Sequence, residues 1–313
     1  MRKTSIILLF LAAATLLGSC IKEDRSDCRR SFTLLFRYTG DGTTDIFREK
    51  VAQVHLYVYD ATTRALVRQE TMDAARLDQL QGIRFELEDL EPGNYEAVCW
   101  GNAAQATDID QPEQRETATV AAPEHRNGQE ADTNDELYYA GGTFTVANAY
   151  TDQQDILDFS CAHIDLSVRL EGFDNMVLTR ADGQAATACP VGVRLDGLPA
   201  YADFDGTAHA EATAAYALQP APAADGTPDA YETALHTLRF ADDTPGALRL
   251  VNPATGATVY TLPLADFLSA NSLTVEDRQE VAVSILLHLN DDGVSVSVTP
   301  FEDEPIHPGL DEK

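Results

Sequence analysis

The chain has 313 residues, with 22 Lys and Arg against 51 Asp and Glu, a formal net charge of −29. So acidic a chain has no basic face to offer a phosphate backbone or an anionic lipid surface, which excludes nucleic-acid binding and attachment to membranes by charge alone. Hydrophobic residues make up 44% and charged residues 23%, which excludes disorder throughout, and the length suits about two domains of roughly 150 residues each.

The N-terminus reads as a targeting segment. Arg2 and Lys3 precede an apolar stretch from Ile6 to Leu17, which is short for a membrane span and suited to a signal peptide. The stretch ends in Leu17-Gly18-Ser19-Cys20, which resembles a bacterial lipobox; the alternative is an ordinary signal peptide with an incidental cysteine. In such signals the cysteine is acylated on sulfur, becomes the first residue on cleavage and is acylated again on its amine. Residues 1–19 are then the signal peptide, and Cys20 carries acyl chains that hold it in the outer membrane, since several chains anchor far more firmly than one. Residues 20–30 form a tether. No Asp directly follows Cys20, so the usual inner-membrane retention signal is missing, and Lys22-Glu23-Asp24 resembles a surface-export signal. The alternative for that short motif is a solvated charged tether.

Beyond the tether, alternation of apolar and polar residues predicts strands. The first is Phe32 to Tyr38. In the next, Val54, Leu56 and Val58 share one face, and His55, Tyr57 and Tyr59 the other. Ile83, Phe85 and Leu87 alternate with Arg84, Glu86 and Glu88. The segment Glu91-Pro92-Gly93-Asn94 reads as a type II turn leading to a partner strand, Tyr95 to Trp100. Asp108 to Glu136 lacks apolar periodicity and reads as a long loop, and a strand from Thr143 to Ala149 follows a Gly-Gly pair. A second group begins near residue 161. It comprises Ile164 to Leu170, Val191 to Leu198, His236 to Ala241, Gly246 to Asn252 and Ala257 to Leu264. Val281 to Leu289 and Val294 to Phe301 then form a hairpin about a loop containing Asp-Gly. Helical patterns are confined to Met72–Leu80 and Leu262–Ala270. About a dozen strands point to an all-β chain of two tandem β-sandwiches, residues 31–158 and 159–313.

Motifs that carry chemistry are missing. The sequence contains no GxSxG, HExxH, P-loop or GxGxxG pattern, so no catalytic residue, cofactor or metal is assigned. The histidines are scattered, and His55, His163 and His288 fall on the polar sides of predicted strands, where they are expected to face solvent. The acidic runs Asp203-Phe204-Asp205-Gly206 and Asp132-Thr133-Asn134-Asp135-Glu136 hold oxygen ligands of the kind calcium takes, but lack EF-hand spacing and read as loops. Cys28, Cys99, Cys161 and Cys189 leave three possible disulfide pairings open, and free buried cysteines equally so. Tyr57, Tyr59 and Trp100 are candidates for an interface, or for the core.

Several segments together resemble the FimB-like fimbrial anchor lipoproteins of the Bacteroidota, the fimbrillin-A-associated anchors. They are Cys20 followed by Glu23-Asp24-Arg25-Ser26-Asp27-Cys28, the strand His55 to Asp60, and Pro92-Gly93-Asn94-Tyr95 with Val98 to Asn102. Leu137-Tyr138-Tyr139-Ala140-Gly141 and Tyr201 to Gly206 complete the set. Pro300-Phe301-Glu302 departs from the pattern where a Trp is expected. The resemblance implies two transthyretin-like β-sandwiches and a role at the base of a fimbrium. The protein would be an outer-membrane anchor or minor subunit that joins pilin subunits by strand addition and limits the length of the shaft. A surface glycan- or ligand-binding lipoprotein is the alternative. An enzyme would need a catalytic constellation that the sequence does not display.

Overall fold

The computed structural model describes residues 31–86, 89–147, 152–173, 189–209, 212–290 and 293–298. Cys20, Cys28 and Pro300-Phe301-Glu302 lie outside them. In chain order the strands of the first half are β1 (Ser31–Arg37), β2 (Val54–Asp60), β3 (Leu66–Met72), β4 (Gly82–Glu86), β5 (Gly93–Gly101), β6 (Asp108–Asp110), β7 (Thr119–Ala121), β8 (Tyr138–Val146), β9 (Gln153–Asp158) and β10 (Ser160–Cys161). There follow β11 (His163–Glu171), β12 (Gly192–Pro199), β13 (Ala202–Asp203), β14 (Thr213–Leu218), β15 (Ala221–Pro222), β16 (Tyr231–Leu238), β17 (Ala247–Val251), β18 (Thr258–Pro263), β19 (Ala282–Asn290) and β20 (Gly293–Val298). Short helices interrupt them: α1 (Phe47–Lys50), α2 (Ala74–Gln79), α3 (Pro123–Arg126) and α4 (Leu264–Ala270). The all-β expectation holds.

The strands order as β4-β1-β9 and β10-β8-β5-β2-β3 in the first half, and as β15-β16-β11-β19-β20 and β14-β12-β17-β18 in the second. A small sheet, β13-β7-β6, joins strands from both halves. One device recurs. β1 runs antiparallel to β4 and parallel to β9, and β11 runs antiparallel to β16 and parallel to β19.

The alternation predicted from sequence explains which face is buried. Phe32, Leu34 and Phe36 of β1 meet Val54, Leu56 and Val58 of β2 in one apolar core, where Phe32 stacks on Phe144 at 4.9 Å. Ile164, Leu166, Val168 and Leu170 of β11 meet Val193, Leu195, Leu248 and Leu250 in a second core, with Val283, Ile285 and Leu287 of β19. Both helical patterns fold as expected. Asp73 caps α2 by accepting the Arg76 N–H at 3.0 Å, a standard N-cap, and α4 buries Leu264, Phe267 and Leu268.

Two expectations fail. β4 does not pair with β5: it pairs with β1, while β5 lies between β2 and β8. The Pro-Gly segment therefore carries the chain from one sheet to the other. Gly93 is not among the residues with positive φ, as a type II turn would require. Gly82, at φ +152, permits the close approach of β4 to β1, because a Cβ there would lie 2.2 Å from the Leu34 carbonyl oxygen. The second failure is the supposed loop at Asp108–Glu136. It contains β6, β7 and α3, and it buries Val120, Ala122 and Ala131. Its strands are three residues long, too short to show a period.

Candidate functional site

The β10-β8-β5-β2-β3 sheet is covered on both faces. Its second face carries Tyr57, Tyr59, Val98 and Trp100, which pack against Val120, Ala202, Phe204 and Leu238 in a third apolar cluster. Tyr57 is 2% exposed, and Tyr59 and Trp100 are 0% exposed. These three aromatics are therefore core, and form a seam between the two larger cores instead of a surface for an outside partner. The Asp203–Gly206 turn closes over this seam. Gly206 sits at φ +76, and a Cβ there would lie 2.4 Å from the Tyr139 ring. Tyr139 Oη donates to the Phe204 carbonyl at 3.1 Å.

The acidic runs are occupied by protein hydrogen-bond donors. Asp203 Oδ1 accepts the N–H groups of Asp205 and Thr207, and its Oδ2 lies 2.8 Å from His209 Nε2. Burial alone would raise the Asp203 carboxyl, but His209 and those N–H groups hold it below its ordinary range. Arg115, 5% exposed, donates to Asp205 at 2.6 Å and to Glu96 at 2.9 Å. Asp135 accepts the N–H groups of Ala104, Gln105 and Ala106.

The histidines separate. His288 is exposed as expected. His55 is half-buried, with Nε2 2.8 Å from the Ala103 carbonyl oxygen. His163 overturns its expectation: it is 4% exposed, because Tyr138 and the Leu137 backbone cover the start of β11. Its Nδ1 lies 2.9 Å from the Leu137 oxygen and 3.2 Å from Cys161 Sγ. Its Nε2 lies 3.3 Å from Asp165 Oδ1. That same oxygen lies 2.7 Å from His236 Nδ1, and His236 Nε2 faces Glu136 at 3.7 Å. Burial would lower the His163 imidazolium, but hydrogen bonds with Asp165 and Cys161 outweigh it and raise the group to about 10. Sequence reasoning missed this cluster because Asp165 and His236 meet only through the register of β11 and β16.

Cys99, Cys161 and Cys189 are free and buried. Burial pushes the Cys99 thiol far up and the Cys189 thiol to about 11, so both lack the thiolate character that makes a cysteine reactive.

Solvent-facing features gather at sheet edges. Among the described residues, the exposed large apolar side chains are Val67 at 45%, Ile156 at 43% and Val259 at 45%. They lie on the edge strands β3, β9 and β18. β3 also carries Arg68 and Glu70, and β9 carries Asp155 and Asp158, whereas β18 (TVYTLP) has no charge. Next to β18 lies a groove of about 460 Å³ lined by Gly192, Arg194, Leu218, Arg249, Val251 and Thr258 among others, with no aromatic side chain. Among the described residues no helix is long and apolar enough to cross a membrane.

Comparison with known proteins converges on one group. Residues 25–302 match the family model described as fimbrillin-A associated anchor proteins Mfa1 and Mfa2. The major fimbrium anchoring subunit FimB of Porphyromonas gingivalis is 35% identical over 102 residues. That match spans 32% of this chain and 33% of FimB. Among solved structures, the fimbrial anchor protein Mfa2 from Porphyromonas gingivalis superposes with a TM-score of 0.62 at 15% identity, covering 86% of this chain and 95% of Mfa2. A Bacteroides thetaiotaomicron DUF1812 protein described as polysaccharide-binding gives a TM-score of 0.63 at 15% identity, over 88% of this chain and 100% of that one. At such identities the superpositions establish a shared fold.

Proposed function

The chain belongs to the fimbrillin-A associated anchor protein family, and from that membership we propose that it is a lipid-anchored fimbrial anchor or minor subunit of the outer membrane. In this reading Cys20 bears the acyl chains, residues 20–30 form the tether, and 31–158 and 159–313 are two sandwich domains. The protein holds a shaft of pilin subunits to the cell surface and limits its length. The observation that carries the reading is the extent of the family match, which begins at residue 25, just after Cys20, and runs to residue 302.

The architecture supports a load-bearing role. The tether would enter the fold at β1, a strand flanked on both sides by β4 and β9. Ladder hydrogen bonds lie across the strand direction, so tension along β1 is shared among many bonds at once. Ser31 adds a clamp at the point of entry, its N–H and Oγ both bonding Asp152 Oδ1. A pilin segment could add to an open edge through main-chain hydrogen bonds. β18 suits this best, being an edge strand with an exposed valine and none of the charges that ordinarily block pairing. The net charge of −29 discourages pairing between copies. The groove beside β18 lacks the aromatic side chains expected of a sugar platform, which favours the anchor over the glycan-binding alternative.

The test is complementation of cells lacking the gene with wild type or Cys20→Ser. Wild type is expected to restore cell-attached fimbriae and to co-purify a β-rich pilin. Cys20→Ser should release fimbriae into the medium. Fimbriae unchanged by loss of the gene, with no pilin in the eluate, would overturn the reading in favour of a ligand-binding lipoprotein.

A further inference from the structure

We infer that His163, Asp165 and His236 form a binding site for one divalent transition-metal ion of the zinc type at the seam between the two cores. The inference does not depend on the fimbrial role. One ligand atom from each residue lies within 4.8 Å of the others. The backbone fixes the grouping: Asp165 on β11 is the direct cross-strand partner of His236 on β16, and His163 lies two residues before Asp165 on the same face.

The hydrogen bonds of His163 fix which of its nitrogens would face a metal. A carbonyl oxygen only accepts, so the 2.9 Å contact with Leu137 assigns a hydrogen to Nδ1. The other nitrogen, Nε2, faces Asp165 Oδ1 at 3.3 Å. A proton joins these two atoms in the metal-free protein, and a metal ion would bind there by displacing it, as metal binding to histidine does in general. A backbone carbonyl on the far nitrogen is also the usual way in which a metal-binding histidine is oriented.

The spacing suits a small ion. Ligand atoms about 2.0–2.2 Å from a tetrahedral zinc stand roughly 3.3 Å apart, as Nε2 and Oδ1 do here. The 2.7 Å contact between His236 Nδ1 and Asp165 would open by about half an ångström as the metal replaces the Nδ1 proton. His236 Nε2–H would then face the Glu136 carboxylate, now 3.7 Å away, as a supporting contact. Two nitrogens and one carboxylate favour zinc or a neighbouring first-row ion over calcium, which takes six to eight oxygens. Asp165 and His236 are 48% and 31% exposed, which leaves a route from solvent and room for a further ligand. Cys161 Sγ lies 3.2 Å from His163 Nδ1 and 3.9 Å from its Nε2.

The test uses the full chain in detergent, stripped with chelator and titrated with Zn²⁺ and with Co²⁺ in excess Ca²⁺, which saturates diffuse acidic sites. One Zn²⁺ per chain is expected, with a visible Co²⁺ spectrum of four or five ligands. His236→Gln and Asp165→Asn should each weaken binding at least tenfold while far-ultraviolet circular dichroism stays unchanged. Charge-transfer absorption from sulfur would add Cys161 to the site. Failure of saturable binding in the presence of Ca²⁺, or binding indifferent to His236→Gln, would overturn the proposal and leave a proton between His163 and Asp165.

Discussion

Lys50 and Glu280 meet at 2.8 Å although 230 residues separate them in the chain, and the same carboxylate accepts the Tyr38 hydroxyl. The residue before it reinforces the join: the Gln279 N–H donates to Asp41 at 2.7 Å, and its side-chain oxygen accepts the Cys161 N–H at 3.0 Å. The ion pair is partly exposed at both ends, so by itself it adds little. Tyr38 is different, being 1% exposed, with burial and the Glu280 bond both holding its phenol protonated.

Glu280→Ala should therefore destabilise the protein by about 1–3 kcal/mol, the cost of stranding a buried hydroxyl. Glu280→Gln keeps an acceptor for Tyr38 and should cost less. Urea denaturation of the two variants checks the order. Equal losses would mean that the ion pair, not the tyrosine, carries the join.

The seam should behave as a coupling element. Phe204 packs against Tyr57 with centroids 5.2 Å apart and is fully buried. Truncating a buried Phe costs about 3–5 kcal/mol. Phe204→Ala should lose stability in that range and, because Phe204 joins strands of both halves, split or broaden the calorimetric transition. A single sharp transition at lower temperature would show that the two cores remain coupled without it.

Strands whose one face is buried could be seen in the sequence, and those without such a face could not. β11 and β19 show alternation because one face is buried and the other meets water. β3 and β9 sit at sheet edges and bury little, with only Met72 and Leu157 buried in their spans, so LVRQETM and QQDILD gave no signal. β14 (TAAYAL) is alanine-rich and equally silent. Pairing was harder than existence. The Pro-Gly segment before Tyr95 is a legitimate turn signal, but local sequence does not say whether a turn joins neighbours in one sheet or crosses to another. The burial of Tyr57, Tyr59 and Trp100 has the same origin: their covering residues, Phe204 and Leu238, lie more than one hundred positions away.

Acid should act through His125. Its Nε2 lies 3.1 Å from the Ala215 carbonyl oxygen, so the ring donates there, and its face meets Tyr216 edge-on at 4.9 Å. Burial lowers its affinity for a proton, outweighing the opposing effects of the Ala215 bond and of Glu124. The unfolded chain, with histidine at about 6.5, then binds more protons than the folded one just below that pH. Stability should fall as pH drops below about 6.5, towards the lowered folded value. His55, also lowered by burial, adds to the same slope. His125→Gln can keep the donor to Ala215 and should flatten the profile without abolishing it. Chemical denaturation at a series of pH values checks this, and an unchanged slope would assign the effect to other groups.

The edge strands give the most direct test of the fimbrial role. Val259 is 45% exposed on an uncharged edge, and Val67 is equally exposed on an edge that already carries Arg68 and Glu70. A lysine at either position touches no core, so each substitution should change stability by no more than about 0.5 kcal/mol. Their effects on strand addition should differ, because a charge on an otherwise uncharged edge is what natural sheets use to prevent pairing. Val259→Lys should sharply reduce the pilin that co-purifies with the protein, and Val67→Lys should not. The reverse pattern would move the acceptor to β3. Full pilin recovery with both variants would mean that the shaft is held by a surface other than these two edges.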